Sequence, residues 1–306
     1  MALPIYASPL ERLWYYTFRV LCALVFLFLI APILVVIPLS FNADSFFTFS
    51  RGMLHLDPAA YSTKWYDLLL TFPNVPTDVP RDAAWWGTVW RDAAWIGAAK
   101  NSVIIGVFAT IIATVLGTLA ALGLSRPEMP YRKTVMAILI SPMIVPVIII
   151  TLGLFFFYST IEVNKWGVPY LGVIMAHATL GIPFVIITVT ATLSGFDHSL
   201  TRAGASLGAS PATVFFKVIM PLITPGMVSG ALFAFVTSFD EVVVVLFVGR
   251  ADEQTIPRQM WNGIREAISP AILSAATILI VVSICLLATV EVLRRRSERL
   301  RGVTPA

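Results

Sequence analysis

The fold is decided by the stretch GFDHSLTRAGASLGASPATVFFKVIMP at residues 195–221. Its first half predicts a short helix, because Asp197 or Ser199 can cap the N-terminus and Gly208 can end the helix in a left-handed conformation. The apolar residues of this half recur at helical spacing, so the predicted helix is amphipathic.

The second half of the stretch predicts another short helix. Ser210 can cap it, and Pro211 at its first position loses no hydrogen bond. Val214 and Val218 recur at helical spacing, and Pro221 is predicted to stop the helix. Two short helices joined at a glycine form a rigid projection. It either fits a groove on a soluble partner or seals a helix bundle as an interfacial hairpin, and the spacing favours neither.

The flanking sequence is typical of a membrane protein. Of its 306 residues 58% are hydrophobic and 12% are charged, whereas a soluble domain carries roughly 25% charged residues. A helix needs about 20 apolar residues to cross the hydrocarbon core. The sequence therefore predicts an all-α protein with six transmembrane helices. They cover residues 20–41, 95–124, 134–157, 168–193, 222–248 and 270–293.

The distribution of Lys and Arg predicts the orientation. Basic residues are densest in the segments that lie inside when the N-terminus is cytoplasmic, including five arginines in residues 294–306. Both termini are then cytoplasmic, and so is the segment at residues 195–221. The predicted organisation is an N-terminal segment at 1–19, one transmembrane domain at 20–293 with a long outside loop at 42–94, and a basic tail at 294–306.

Four tryptophans in and after the outside loop suit the membrane interface. Trp85, Trp86, Trp90 and Trp95 are amphipathic side chains of the kind that collect at headgroup level. We favour this interpretation over a ligand-stacking site.

A polar cluster lies in the fifth predicted helix. Asp240 and Glu241 are costly at bilayer depth, so such residues usually face a water-filled path, a cation or a partner. Neighbouring helical residues point about 100° apart, so both acids serve one small site only if the helix unwinds. The weak helix formers at residues 242–245 make local irregularity plausible, and Ser238 can add a hydroxyl. The alternative is that the acids cap the helix or bind nearby backbone groups.

The remaining polar residues predict no catalytic or metal site. His177 lies within a predicted helix, where we favour a hydrogen-bonded structural histidine over a functional one. Cys22 and Cys285 are read as small packing residues without a disulfide or metal role. No phosphate-binding loop, zinc motif or nucleophile motif is present, so no cofactor is expected in this chain. A net charge of only +4 gives nucleic-acid binding little support.

Several motifs in order resemble a known family. Ala203, the Leu-Gly-Ala at 207–209 and the Ile-Met-Pro-Leu at 219–222 resemble the EAA loop of ATP-binding-cassette importer permeases. Nearly the whole chain resembles the second permease of spermidine/putrescine importers and their relatives. The supporting stretches are residues 38–42, 64–66, 101–102, 117–121 and 238–244.

This resemblance implies a type I importer permease fold in a bacterial inner membrane. It implies a second permease, two ATPase subunits that bind ATP and Mg²⁺, a periplasmic binding protein and membrane lipid as partners. The segment at residues 195–221, here named the coupling segment, would dock into an ATPase. Its expected contacts are Arg202, Ala203, Gly204, Leu207, Gly208, Ala209, Ser210 and Pro211. The expected substrate path comprises Ser238, Asp240, Glu241, Trp65 and Met143.

Three residues depart from the family pattern. Arg202 stands where the family usually has Glu, and Gly204 replaces Ala. The resemblance implies import of a small organic amine from the periplasmic binding protein into the cytoplasm, either a polyamine, a γ-aminobutyrate-like or an opine-like compound. Met143 replaces an acid found in spermidine-type members, which suits a substrate with fewer positive charges, such as a monoamine, a γ-aminobutyrate-like or an opine-like compound. The alternative function is an ion-coupled carrier or channel that uses Asp240 and Glu241 as ion ligands.

Overall fold

A computed structural model of the chain describes residues 8–126, 128–197, 199–266 and 269–300. Within those ranges the regular secondary structure is helical, and an isolated antiparallel bridge joins Asn42 and Tyr61. The α-helices are α1 (Pro9–Leu39), α2 (Arg51–Leu54), α3 (Lys64–Thr71), α4 (Ala83–Asp92), α5 (Ala94–Leu124), α6 (Arg132–Ile144), α7 (Val147–Thr160), α8 (Leu171–Leu193), α9 (Ser199–Ser206), α10 (Pro211–Val214), α11 (Met220–Asp240), α12 (Val243–Val248), α13 (Ile256–Glu266) and α14 (Ala271–Leu300). Short 3₁₀ helices cover Pro58–Ala60 and Val163–Trp166.

Four helical runs among the described residues are long and apolar enough to cross a membrane. They are Pro9–Leu39, Ala94–Leu124, Leu171–Leu193 and the continuous run Pro211–Asp240. The bent pair α6 and α7 passes the same test when it is taken together, and Ala271–Cys285 is a shorter apolar helix. The all-helical membrane architecture is therefore confirmed.

The third predicted span is not one straight helix. α6 and α7 meet at an angle of 101°, so the prediction of a continuous helix at residues 134–157 is wrong. The break lies at Val145, which is extended (φ −70°, ψ 135°), and Pro146 follows it. A proline offers no N–H to the preceding turn and disfavours helical geometry in the residue before it.

The chain divides into two compact units, one comprising Met1–Val89 with Gly263–Ala306 and the other Trp90–Asn262. In the second unit α5, α8 and α11 pack on one another. Their mutual faces are built from small and branched apolar residues that are almost fully buried. These include Ala109, Ala113, Val173, Val185, Val189, Ile223 and Ala234.

Two glycines at i and i+4 allow the close approach of α11 to α8. A Cβ atom on Gly230 would lie 2.7 Å from the Cα atom of Val185, and one on Gly226 would meet the Thr192 hydroxyl. This spacing brings helix backbones together in membrane proteins. The Gly226 and Gly230 pair therefore serves packing within this chain.

The fifth predicted span begins earlier than expected because the helix does not stop at Pro221. A π-helical turn at Phe215–Ile219 joins α10 to α11, so the helical run extends from Pro211 to Asp240. A helical proline clashes with the carbonyl four residues earlier, here that of Lys217. That carbonyl lies inside the wider π turn, which gives a physical reason for the tolerated proline.

The other unit contains α1, α3 and α14 with the segment that follows α1. Ser274 on α14 donates its hydroxyl hydrogen bond to the Ser40 carbonyl at 3.3 Å, and the hydroxyls of Ser40 and Tyr66 are 2.7 Å apart. Asn42 is fully buried and donates its amide to the carbonyls of Phe46 and Thr48. Much of the predicted loop at residues 42–94 is thus ordered by short helices and side-chain hydrogen bonds.

The tryptophans of this region fall into two groups. Trp85 is buried, and its indole N–H donates to the Pro76 carbonyl at 2.8 Å, so interfacial anchoring is wrong for this residue. Trp86 and Trp90 are exposed in the chain, as anchoring requires.

Candidate coupling and transport sites

The first helix of the coupling segment begins with a side-chain cap. The two carboxylate oxygens of Asp197 accept the backbone N–H and the hydroxyl of Ser199, at 2.8 and 2.6 Å. A carboxylate at this position also interacts favourably with the positive N-terminal end of the helix dipole. The cap predicted from the sequence is confirmed in its Asp197 form.

Gly208 ends this helix as the sequence predicts. Its φ is +79°, in the left-handed region that glycine enters without steric cost. The N–H of Ala209 donates to the Gly204 carbonyl at 3.1 Å, and the N–H of Gly208 donates to the Ala205 carbonyl at 3.0 Å. These two bonds form a Schellman motif, which satisfies the last carbonyls and fixes the direction of the departing chain.

The second helix starts immediately after this turn. The Ser210 hydroxyl accepts the N–H of Thr213 at 3.2 Å, and Pro211 occupies the first helical position. Both features agree with the sequence prediction. Because this helix continues into α11, the turn at Gly208 is joined to the core of the bundle by one helical run.

Most predicted ATPase contacts lie on the surface of the chain. Leu207 is 87% exposed. The other exposed positions are Arg202, Ala203, Gly208, Ser210 and Pro211, while Gly204 and Ala209 are half-buried. The segment therefore presents an apolar tip with a cationic side chain on its first helix.

Gly204 is half-buried because α9 packs against α10 at this position. A Cβ atom on Gly204 would lie 3.1 Å from a methyl group of Val214, so the alanine usual in the family would be tight here. The departure at Gly204 thus goes with the close approach of the two short helices.

A cavity of about 430 Å³ lies between the coupling segment and the ends of α5 and α8. Its walls are mainly apolar and include Leu122, Arg126, Leu193, Phe196, Val214 and Phe215. An open, mainly apolar cleft therefore separates part of the coupling segment from the ends of these two helices.

Ser238, the first predicted path residue, is buried near the far end of α11. Its Oγ lies 2.7 Å from Nδ1 of His177 on α8, and either atom can donate, depending on the imidazole tautomer. Ser238 is 5% exposed and His177 is 1% exposed. The prediction that His177 is hydrogen-bonded is confirmed, and its partner is a residue proposed for the path.

The helix breaks at the two acids, as the weak helix formers after them suggested. Asp240 ends α11 and is exposed, and Glu241 is extended (ψ 125°). The Oε1 atom of Glu241 accepts the N–H groups of Val243 and Val244 at 2.6 and 3.2 Å. Glu241 therefore caps α12, so the capping alternative describes this residue, and the prediction of one helix through residue 248 is wrong.

The segment after α12 carries a buried acid that sequence reasoning missed. Glu253 is 5% exposed and accepts the N–H groups of Tyr170 and Arg250 at 2.8 and 3.0 Å. The Tyr170 hydroxyl donates to Asn101 at 2.9 Å, and the Asn101 amide donates to two carbonyls of this segment. Asn101 belongs to a motif stretch quoted above, which was the only sequence signal for this network.

Arginines hold the same segment in two ways. The Arg258 guanidinium donates to the carbonyls of Val245, Gly249 and Arg250, where a cation complements the C-terminal end of α12. Burial lowers the pKa of Arg258. At the surface, Arg250 binds Asp252 at 3.0 Å, and this hydrogen bond lowers the pKa of the Asp252 carboxyl.

Trp65 and Met143 complete the predicted path residues. The Trp65 indole N–H donates to the Asn42 carbonyl at 2.8 Å, and the Lys64 ammonium lies 4.6 Å from a Trp65 ring centroid. A protein cation therefore already occupies one cation–π position. Met143 is 50% exposed on α6, two residues before the bend. Trp65 belongs to one compact unit, and Met143, Ser238, Asp240 and Glu241 belong to the other.

Within the described residues no three His, Cys, Asp or Glu side chains are placed to hold a metal ion together. The features that the described residues do offer are the projecting coupling segment, the helical run Pro211–Asp240 and the polar break at the end of that run.

Residues 113–299 match the family described as the binding-protein-dependent transport system inner membrane component. The chain belongs to this family and is a permease subunit of an ATP-binding-cassette importer.

Its relatives include polyamine permeases. The chain is 28% identical to the spermidine/putrescine transport system permease protein PotC of Haemophilus influenzae over 90% of this chain and 95% of that protein. It is 30% identical to the putrescine transport system permease protein PotI of Escherichia coli over 85% of this chain and 84% of that protein. Among solved structures, a bacterial ABC transporter involved in the import of the acidic polysaccharide alginate matches with a TM-score of 0.65. That match has 16% identity and covers 94% of this chain and 99% of the other.

Proposed function

We propose that this chain is one of two permeases of an ATP-driven importer that moves a small organic amine from a periplasmic binding protein into the cytoplasm. The carrying observation is that the exposed turn at Gly208 and the acid Asp240 lie at opposite ends of one helical run, Pro211–Asp240. Thirty residues at 1.5 Å each span about 45 Å, enough to link one membrane face to the other.

In this proposal the coupling segment is cytoplasmic and docks into one of two ATPase subunits, which bind ATP and Mg²⁺. Leu207 is 87% exposed at the turn between the two short helices, and we expect it to enter a groove of the ATPase. Movement of the ATPase would act on the Schellman turn and be carried along α11. Six spans, with α6 and α7 forming one bent span and both termini cytoplasmic, suit this arrangement.

The expected Arg202 contact differs from that of the family. Arg202 is exposed on α9, so it can reach a partner without being buried alone. A cation in place of the usual glutamate requires an acidic or carbonyl-rich partner surface, because like charges across an interface are costly. The cognate ATPase is therefore expected to carry an acid opposite Arg202.

The amine substrate class is supported by two acids at the break and by the substrates that the relatives' names state. Asp240 is exposed, and Glu241 is only half-buried. Because Met143 provides no third acid, we propose a substrate with fewer charges than spermidine, such as a monoamine, putrescine, a γ-aminobutyrate-like or an opine-like compound.

The test is to purify the complex from its native membrane through this chain and to reconstitute it with its receptor. We expect co-purification of a second permease and an ATPase, and ATP-dependent amine uptake. Leu207→Asp should abolish both ATPase retention and uptake, because it places a charge at the apolar tip. Tyr131→Asp is the matched control, since Tyr131 is 82% exposed in another connection and Asp tolerates its left-handed backbone. Uptake by the purified chain alone under an ion gradient would instead support the ion-coupled carrier.

A further inference from the structure

The bond between His177 and Ser238 joins two helices next to the break. One turn before it along α11, α8 and α11 are in close contact, since a Cβ atom on Gly181 would lie 2.9 Å from the Cβ of Ala234. Residues four apart lie on the same helix face. His177 and Ser238 therefore face each other one turn beyond this contact, and Glu241 interrupts the helix three residues later.

The bond is a side-chain hydrogen bond between α8 and α11. Both side chains are almost fully buried, and they are 61 residues apart in the chain. The Nε2 atom of His177 is also buried and has no hydrogen-bond partner within the described part of the chain. Several threonine hydroxyls in the described helices are likewise buried without a protein partner, so it is the bond to Ser238 that distinguishes His177.

We propose that His177 is a positioning residue of the transport path, because its bond to Ser238 fixes the end of α11 that presents Asp240 and Glu241. This inference rests on the proposed amine transport. When α8 and α11 separate, the unused Nε2 atom and the Ser238 hydroxyl become available to water or to the amine of the substrate. His177 thereby couples the positions of Asp240 and Glu241 to the separation of α8 and α11.

Four variants test this in the reconstituted complex. His177→Leu and Ser238→Ala remove the bond. His177→Asn keeps an amide near the Nδ1 position and should restore the bond, whereas His177→Gln places its amide near Nε2 and should not. Thr179→Val is the matched control, because Thr179 lies on α8 and donates only to the Met175 carbonyl of its own helix.

We expect His177→Leu to raise the KM for amine uptake about tenfold, which is the order of one lost hydrogen bond, with a smaller change in maximal rate. His177→Asn should recover most of the affinity and His177→Gln little. The double variant His177→Leu/Ser238→Ala should be no worse than the worse single variant. Equal KM values for all variants, or a Gln rescue as good as the Asn rescue, would overturn the proposal.

The thermal unfolding of the same variants separates this proposal from the function on which it rests. Non-additive melting temperatures for the two single variants and the double variant support the bond whatever the substrate is, and additive ones overturn it. If the wild-type complex takes up no amine, the proposed amine transport is refuted. The role of His177 in positioning the acids is then refuted with it.

Discussion

The two ends of the helical run Pro211–Asp240 differ in what holds them, which is local hydrogen bonds at one end and a long-range contact at the other. At the coupling end the backbone is satisfied locally, by a serine cap and a Schellman turn, while apolar side chains such as Leu207 are left exposed. At the other end Ser238 is buried and bonded to a distant helix, and the backbone is broken at Glu241.

The coupling end thus has a locally fixed shape, whereas the end with the acids has a position fixed by other helices. A projection that must meet a moving partner needs a rigid local shape and a free apolar surface, which short-range hydrogen bonds can supply. Acids that must meet a substrate need a fixed position relative to other helices, which requires long-range contacts. Helix α11 lies between the two ends and packs on α8 through glycines, so both ends belong to one helical run.

The largest effect on uptake is expected when the packing of α11 on α8 is disturbed. Gly230→Ala places a methyl group 2.7 Å from the Val185 Cα, so α11 must move away from α8. Overpacking of this kind costs about 1–3 kcal/mol, and uptake should fall with the melting temperature of the complex. The control is Gly153→Ala in α7, where nothing lies within 4 Å and a slight gain in stability is expected. Normal uptake by Gly230→Ala would show that the two ends do not depend on tight packing between them.

The next largest effect is expected at the coupling end. Gly208→Val puts a β-branched residue at φ +79°, which costs at least about 1–2 kcal/mol in the left-handed region and distorts the turn. We expect the complex to hydrolyse ATP without responding to loaded receptor, and uptake to fall about tenfold or more. Gly195→Ala is the control, because Gly195 has open space and ordinary backbone geometry. Fully coupled uptake by Gly208→Val would remove the turn from the mechanism.

These two ends also differ in how well the sequence predicted them. The caps at Asp197 and Ser210 and the turn at Gly208 were predicted because each signal lies within a few residues of the group that it satisfies. Ser238 was found as a polar residue in an apolar helix, but its partner lies 61 residues away, and no local pattern encodes that pairing. The buried Glu253 was missed for the same reason, since its partner Tyr170 is 83 residues distant.

Proline effects were predictable in kind but not in outcome. Pro146 bends its helix and Pro221 does not, although both interrupt apolar runs. The difference lies in the neighbouring backbone, because a π turn before Pro221 absorbs the clash, while Val145 becomes extended. Whether the chain makes a π turn or a break depends on tertiary packing, which outweighs local propensity.

A smaller effect is expected from Glu241, where capping and cation binding can be separated. Glu241→Gln keeps an acceptor for Val243 and Val244 but removes the charge, whereas Glu241→Ala removes both. Loss of the cap should cost about 1 kcal/mol in Glu241→Ala and only a few tenths in Glu241→Gln. If the charge serves the amine, loss of the charge in Glu241→Gln is sufficient to raise the KM for uptake, although the cap is kept. An unchanged KM with a normal melting temperature would assign Glu241 to capping only.

The smallest effect is expected at the surface pair of Arg250 and Asp252, which holds the segment after the break. The hydrogen bond from Arg250 lowers the pKa of Asp252 in the folded protein. A carboxyl whose folded pKa lies below its unfolded value stabilises the protein at higher pH, and this contribution disappears as the pH falls through the folded pKa. Asp252→Asn should therefore lower the melting temperature slightly near neutral pH, and the difference should vanish in acid. Because both groups are exposed, salt should screen the effect, and uptake should not change. A large loss of uptake in Asp252→Asn would place a functional contact outside the two ends of α11 and weaken the contrast between them.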